Sequence, residues 1–414
     1  MHIVEKPFTA LEMTSSAVKL IVGYELDGRA IVLDTLTMPL ADVVINGQLT
    51  NPAVAAQAIL KLIEQVKSDL GFQVTDVVIA LPPIGLEVFV VDKTTNIVSP
   101  VGKIEKIDIQ NVISLVRNEL VGADKEIVGI VADVFLLDQG RAFSNPPLGD
   151  TSNTLTLHAK IHVLPKTIVD GYRKAVQMAN LKIRRIVVAP YAAAEVVRGY
   201  KEMPEDYILF DYGARFSTVS FIGGFQLYST TYIHKGSDSL TEALAYGLKI
   251  SFNEANKLKE IYGIDHRQVS YKGIIANVVD ESGKRLDYTV DVINDILEKA
   301  LSEYADDVNR AINDLLTNYD ESFKNLPVVV TGGGARLNGL YPVLAQYLAP
   351  HKVILFSPKA MGARNGSFTT VLGLIKIANK FKGSYEDEKR PIATVSREEP
   401  KEKKKVFNAT EDEL

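Results

Sequence analysis

The run Val328, Val329, Val330, Thr331 passes directly into Gly332, Gly333 and Gly334 and leaves through Ala335, Arg336 and Leu337 toward a helical pattern. An apolar, β-branched run reads as a buried strand. Three glycines at its end let the backbone go where a Cβ would block it. Two uses call for such bareness. One is close approach of the main chain to a flat or charged ligand. The other is a tight strand-to-helix turn with no ligand, and the stretch alone does not choose.

A chain of 414 residues exceeds one ordinary domain and should divide into two or more cores. Its 46% apolar and 23% charged residues are typical of a soluble globular protein. With no cysteine, disulfides and thiolate metal sites drop out. His158 and His162 share a face if "TLHAKIHVL" is a strand, but with no third ligand nearby they read as packing residues. A net charge of −5 argues against a general nucleic-acid binder. No apolar run has the length of a membrane span, and "MHIVEKPFTALEM" lacks the regions of a signal peptide, so a cytoplasmic protein is expected.

The body alternates strand and helix patterns, which indicates α/β architecture. Leu20–Val22 and Ala30–Thr37 read as strands joined by a hairpin at Asp27-Gly28. A helix follows in "NPAVAAQAILKLIEQVKSDLGF", with Gly71 just past its end, then the strand "VTDVVIALPP". From Glu87 to Val163 the texture changes to a helix in "KIDIQNVISLVRNEL", short strands and the loop "GRAFSNPPLGDTSN", which suggests an insertion with its own small core. A helix from Thr167 to Ala179 and the strand "KIRRIVVAP" restore the first pattern. "DYILFDYGARFSTVSFIGGFQLYSTTYI" then opens a second unit of three strands, punctuated by Gly213 and Gly223-Gly224. The charged, proline-punctuated residues from Gly383 on read as a disordered tail.

Four stretches together resemble FtsA, the bacterial cell-division family of the actin-like ATPase superfamily. They are "ALEMTSSAVKLIVG", "SNPPLGDTSNTLTLHAKIHVL", "ILFDYGARFSTVSFIGG" with the helices after it, and "VVVTGGGARLNGL". The resemblance spans about residues 8–378. It implies an actin-like (ribonuclease H-like) two-half α/β fold with an inserted 1C-type subdomain. Residues 1–86 and 164–205 would form the first half (1A), 87–163 the insertion, 206–236 and 327–382 the second half (2A), 237–326 a 2B-type subdomain, and 383–414 the tail. PilM-type pilus adaptors share the layout and are the alternative. A metabolic kinase of the same superfamily is disfavoured, because no sugar-binding acid can be identified.

The resemblance also implies a nucleotide site for ATP with Mg2+. Gly332, Gly333 and Gly334 would pass under the adenine and ribose. Glu12 and Ser15 would fill the acid and hydroxyl positions of the first phosphate loop, although Thr14 stands for the family's glycine and Ala17 for its lysine. Lys19, two residues on, points to the same strand face about 6–7 Å away, and reads either as a substitute or as a solvated residue. Asp211 would hold magnesium through water and Gly213 would permit the second turn. Arg215 falls where phosphates should lie, as their ligand or as a plug. On the ribose side the family's Glu/Lys pair becomes Asn256 and Lys259, and its Arg/Glu pair becomes Ala300 and Glu303. Each missing charge-assisted hydrogen bond is worth about 1.5–3 kcal/mol, so weak ATP binding and at most a weak ATPase are expected.

The implied partners are the C-terminal tail of the tubulin-like FtsZ, docking on 237–326 near Lys257 and Lys259, and further copies of the chain in filaments. The implied location is the inner membrane face at the division site. Yet the tail offers only Val406 and Phe407 as apolar partners for Lys401, Lys403, Lys404 and Lys405. Membrane contact should therefore be weak or pass through a partner.

Overall fold

The computed structural model describes residues 7–264, 273–274, 276–279 and 285–380; the tail read from 383 lies outside the described residues. Strands β1 (Phe8–Met13), β2 (Ala17–Leu26) and β3 (Arg29–Pro39) form an antiparallel meander. The β2–β3 turn has Asp27 and Gly28 both at positive φ, the pair a two-residue hairpin needs. A short hairpin, β4 (Val44–Ile45) and β5 (Gln48–Leu49), precedes helix α1 (Pro52–Leu70). The Asn51 side chain caps α1 by accepting from Val54 N, Pro52 opens it, and left-handed Gly71 ends it. Strand β6 (Asp76–Leu81) completes the first segment.

Residues 87–165 build a separate antiparallel sheet from β7 (Glu87–Asn96), β8 (Lys125–Leu137), β9 (Ala142–Phe143) and β10 (Thr154–Pro165), in the order β7-β10-β8-β9. Helix α2 (Lys106–Arg117) packs on it and shares a small core of Ile109, Val112, Val116, Phe135, Leu157 and Ile161. The fully buried Asp108 accepts from Val98 N and Glu105 N and so fixes the start of α2. The chain then returns through α3 (Lys166–Met178), β11 (Lys182–Val188) and α4 (Ala189–Val197). Ala189 and Pro190, which the sequence pattern assigns to the strand "KIRRIVVAP", instead open α4. Pro190 sits in its first turn, where a missing N–H costs nothing.

The second unit repeats the opening. Strands β12 (Tyr207–Asp211), β13 (Ser217–Gly223) and β14 (Gln226–Ile233) form another meander. They are followed by α5 (Ser237–Leu248), α6 (Phe252–Tyr262), the ribbon β15 (Ala276–Val279) and β16 (Arg285–Tyr288), and the long α7 (Val290–Leu316). Strand β17 (Val328–Thr331), α8 (Leu340–Tyr347), β18 (Val353–Leu355) and α9 (Thr369–Lys380) close the chain's described part.

The first large sheet runs β11-β6-β1-β2-β3 and the second β14-β13-β12-β17-β18. In each, an antiparallel meander is extended by two parallel strands, with β1 and β12 at the two centres. Helices α4 and α9 pack against each other, α9 against the first sheet and α4 against the second. At Gly373 a Cβ would lie 1.9 Å from the Ala192 carbonyl oxygen, so only glycine lets these helices approach as they do.

Candidate functional site

The equivalence of the two sheets places one acid at the end of each central strand. Glu12 stands near the end of β1 and Asp211 at the end of β12, and both line one cleft of about 970 Å3, counted to its open mouth. Ser15, Gly213, Gly332, Gly333 and Gly334 line it too. Seven of the residues singled out by sequence therefore converge: Glu12, Ser15, Asp211, Gly213 and the three glycines.

Register explains the first loop. Thr14 and Ala17 close a two-residue turn, so Glu12 lies directly opposite Lys19 on β2. Lys19 Nζ donates to Glu12 Oε2 at 3.2 Å and to the Ser367 carbonyl at 2.6 Å, with its side chain only 14% exposed. Thr14 is compatible with the turn because no residue from Thr14 to Ser16 has positive φ. Its hydroxyl also accepts from Ala17 N at 3.1 Å.

Burial pushes the Asp211 carboxyl up to about 6; the nearby Glu12 charge adds to the rise, while the Lys19 ammonium opposes it. Asp211 is thus a carboxylate whose ionised form burial makes costly. Opposite it on β13 stands Thr218, which also lines the cleft.

The second loop is built tightly. A Cβ at Gly213 would lie 2.1 Å from the Phe216 carbonyl oxygen. Ser237 N and Asp238 N, at the start of α5, donate to the carbonyls of Gly213 and Ala214 at 2.9 and 2.8 Å. Arg215 takes neither role foreseen for it. Its Nη1 donates to Asp42 Oδ1 at 2.6 Å and its Nε to Asp238 Oδ2 at 3.4 Å, and it does not line the cleft. Two carboxylates outside the cleft draw the guanidinium away, so in this state it is neither phosphate ligand nor plug.

The three glycines divide by cause. At Gly332, with φ of +94°, a Cβ would meet Asp211 Oδ1 at 2.4 Å and the Tyr212 carbonyl oxygen at 2.5 Å. At Gly334 it would strike the Tyr212 ring at 2.6 Å. At Gly333 the nearest atom is Ser367 Cβ, 3.8 Å away. Packing against Asp211 and Tyr212 accounts for two of them, and only Gly333 leaves free space on the cleft side.

The ribose-side candidates do not join. Lys259 is buried and donates to Ser237 O at 3.0 Å and Thr241 Oγ1 at 2.7 Å, which ties α6 to α5. Burial pulls its ammonium below the usual lysine range, with Asp238 and Glu260 pushing back. Asn256 donates to Glu260 Oε1 at 3.0 Å. Glu303 is exposed on α7, and Ala300 packs against the second core. Tyr212 stacks on Tyr304 of α7 at 5.1 Å, an aromatic core beside Gly334 that the sequence reading missed.

Of the two histidines, His158 pairs with Asp92 across the small sheet. His162 is buried edge-on to Tyr191, and desolvation lowers its pKa to about 4, so it is neutral. Among the described residues no helix is long and apolar enough to cross a membrane.

No family model matches the chain. Its sequence is similar to FtsA cell-division proteins along nine-tenths of its length. It is 26% identical to that of Enterococcus faecalis over 383 residues (91% of this chain, 84% of the relative). Against Streptococcus pneumoniae the figure is 24% over 376 residues (90% and 80%), and against Bacillus subtilis 22% over 373 (90% and 83%). In structure it is similar to a chain of a PilM–PilN type IV pilus biogenesis complex, with TM-score 0.59 and 16% identity over 90% of this chain and 98% of that one. It is also similar to an MreB of Spiroplasma citri bound to ADP, with TM-score 0.53 and 12% identity over 92% and 98%. The fold is actin-like and the sequence is FtsA-like.

The cleft suits the polyphosphate part of a nucleotide better than its ribose. Its walls are mostly Gly, Ala, Ser and Thr. Glu12 and Asp211 offer two carboxylates to a divalent metal, which would complete its shell with water and phosphate oxygens. The paired ribose contacts of the FtsA pattern are absent from its lining.

Proposed function

We propose that this chain is a divergent FtsA-like cell-division protein that binds FtsZ and helps to organise or tether the division ring. The observation that carries this reading is similarity to FtsA proteins of several bacteria over nine-tenths of the chain. The PilM alternative is not favoured, since that likeness is one of fold at 16% identity. In this reading, residues 1–86 with 164–205 and 206–236 with 327–382 are the two actin-like halves, 87–163 the 1C-type insertion and 237–326 the 2B-type subdomain.

The cleft takes ATP weakly, with Glu12 and Asp211 facing the metal and Ser15, Gly213 and Gly333 near the phosphates. The FtsZ tail docks on the 2B-type region, where Lys257, Tyr246 and Ile261 are exposed. Lys259, engaged inside, does not contribute. Copies of the chain associate into filaments, and membrane contact comes through a partner or through many weak tails acting together.

Fluorescence anisotropy with a labelled FtsZ C-terminal peptide tests the proposal. Binding in the micromolar range, weakened severalfold by Lys257→Glu, is expected. No binding at about 1 mM peptide, equivalent to less than about 4 kcal/mol, would remove FtsZ as the partner.

A further inference from the structure

The short hairpin β4–β5 and the residues beside it, 42–50, touch both large sheets' units. Their inner side belongs to the first. Val43, Val44 and Leu49 are buried in its core, and the buried Tyr172 of α3 donates to the Gly47 carbonyl oxygen at 3.0 Å. Gly47 has φ of +74°, and a Cβ there would lie 2.3 Å from Ile84 Cγ1. The outer corners reach the second unit. At one, Asp42 Oδ1 accepts from Arg215 Nη1 at 2.6 Å, in the loop between β12 and β13. At the other, Asn46 Oδ1 pairs with His234 Nδ1 at 3.1 Å, just past the end of β14. Asp42 and Asn46 both have positive φ, which Asp and Asn tolerate better than most residues. Neither corner lines the cleft, whereas Val44 and Gly47 between them do. The segment is thus part of the cleft wall, with its two polar corners on the rim.

We infer that residues 42–50 are a clasp across the cleft, and that Arg215–Asp42 and His234–Asn46 set how fast a ligand enters and leaves. The inference goes beyond the reading of the cleft as a nucleotide site and rests on it only for the ligand used as a probe. Passage through the rim needs the segment to part from the second unit. Its buried packing on the first unit is the costly attachment, so the exposed pairs are the ones that break. Because neither pair touches the cleft lining, a ligand gains nothing from them. They hold the rim equally whether the cleft is filled or not, and so act on rates while leaving affinity nearly unchanged. Asp238 steadies the guanidinium from the second unit's side, 3.4 Å from Arg215 Nε. This gives Arg215 a task at the cleft without placing it among the phosphates.

The chain has no cysteine, so Asn46→Cys with His234→Cys introduces its only two thiols. A short bismaleimide bridges them and locks the clasp, whereas N-ethylmaleimide caps each thiol and leaves it broken. Release of a fluorescent ADP analogue from the full-length protein, chased with excess ADP, should be about tenfold or more slower when bridged than when capped. Arg215→Gly combined with His234→Ala should release it about three- to tenfold faster than wild type, with the dissociation constant changed less than about fivefold. Equal release from the bridged and capped proteins would overturn the inference. So would failure of the bismaleimide to join the two thiols within one folded chain. Should the double-cysteine protein fail to fold, Asp42→Cys with Arg215→Cys is read in the same way. If the ADP analogue does not bind wild type, the nucleotide reading fails, and hydrogen exchange still decides the clasp. Amides of residues 42–50 should then exchange about threefold or more faster in the Arg215→Gly, His234→Ala protein than in wild type, and unchanged exchange would overturn the inference.

Discussion

Arg215 Nη1 donates to Asp42 Oδ1 at 2.6 Å, and this contact ties the loop after β12 to the loop after β3. The same side chain reaches Asp238 at the start of α5. Both carboxylates raise the guanidinium pKa further, and the pairing is partly exposed, with the arginine side chain 44% accessible. Such pairs contribute about 0–1 kcal/mol. Arg215→Gly should therefore alter ATP affinity by less than about fivefold in calorimetry. A gain of tenfold or more would mean that Arg215 swings in as a plug. A loss of that size would mean that it swings in as a ligand.

The glycines can be told apart by substitution. Gly332→Ala and Gly334→Ala push a methyl into atoms of Asp211 and Tyr212 less than 3 Å away, so each should lower stability by about 1–3 kcal/mol in chemical denaturation. Gly333→Ala should leave stability within about 0.5–1 kcal/mol, the range of a helix-propensity change, while weakening nucleotide binding. If Gly333→Ala leaves binding untouched, the turn exists for packing alone.

Asp211 carries the pH dependence. Its folded pKa of about 6 lies above the ordinary 3.8, so the folded state holds a proton that the unfolded chain has released between those values. Stability of the ligand-free protein should fall as pH rises from about 4 to 6, by at most about 3 kcal/mol for a two-unit difference. Asp211→Asn removes the buried charge and should raise the melting temperature at pH 7. Nucleotide binding in Mg2+ should move the other way, weakening below pH 6 as Asp211 takes its proton. A melting temperature for Asp211→Asn equal to or below wild type at pH 7 would show that the carboxylate is comfortably ionised.

Much of the fold was legible because its signals are local. Asp27-Gly28 marks a hairpin, Asn51-Pro52 and Gly71 bracket a helix, and Val328–Thr331 reads as a buried strand. The acids Glu12 and Asp211 were singled out by the family resemblance, and the structure puts Glu12 next to the end of β1 and Asp211 at the end of β12. The partner of Glu12 could have been found by counting: a two-residue turn at Ser15-Ser16 fixes the register and puts position 19 opposite position 12. Arg215 and Lys259 were not legible. Their roles depend on Asp42, Ser237 and Thr241, which are distant in sequence and are brought near by tertiary packing alone. Nothing local shows that the Tyr212 ring lies where a Cβ of Gly334 would be.

The tail supplies a membrane prediction from sequence. Val406 and Phe407 offer about 3–6 kcal/mol if fully buried, before the cost of ordering the chain, and Glu411, Asp412 and Glu413 oppose the lysines. Flotation with anionic liposomes at physiological salt should recover little monomer. Strong flotation that disappears when 383–414 is deleted would make the tail an anchor in its own right.

The central claim is that an actin-like cleft with Glu12, Lys19 and Asp211 on its walls and no ribose-gripping pair still takes a nucleotide, weakly. Isothermal calorimetry of ATP into the full-length protein with Mg2+ at pH 7.5 tests it most directly. A dissociation constant between about 10 µM and 1 mM, equivalent to about 4–7 kcal/mol, is the predicted result. Sub-micromolar binding with brisk turnover would contradict the eroded site, and no binding at millimolar ATP would contradict the nucleotide cleft itself.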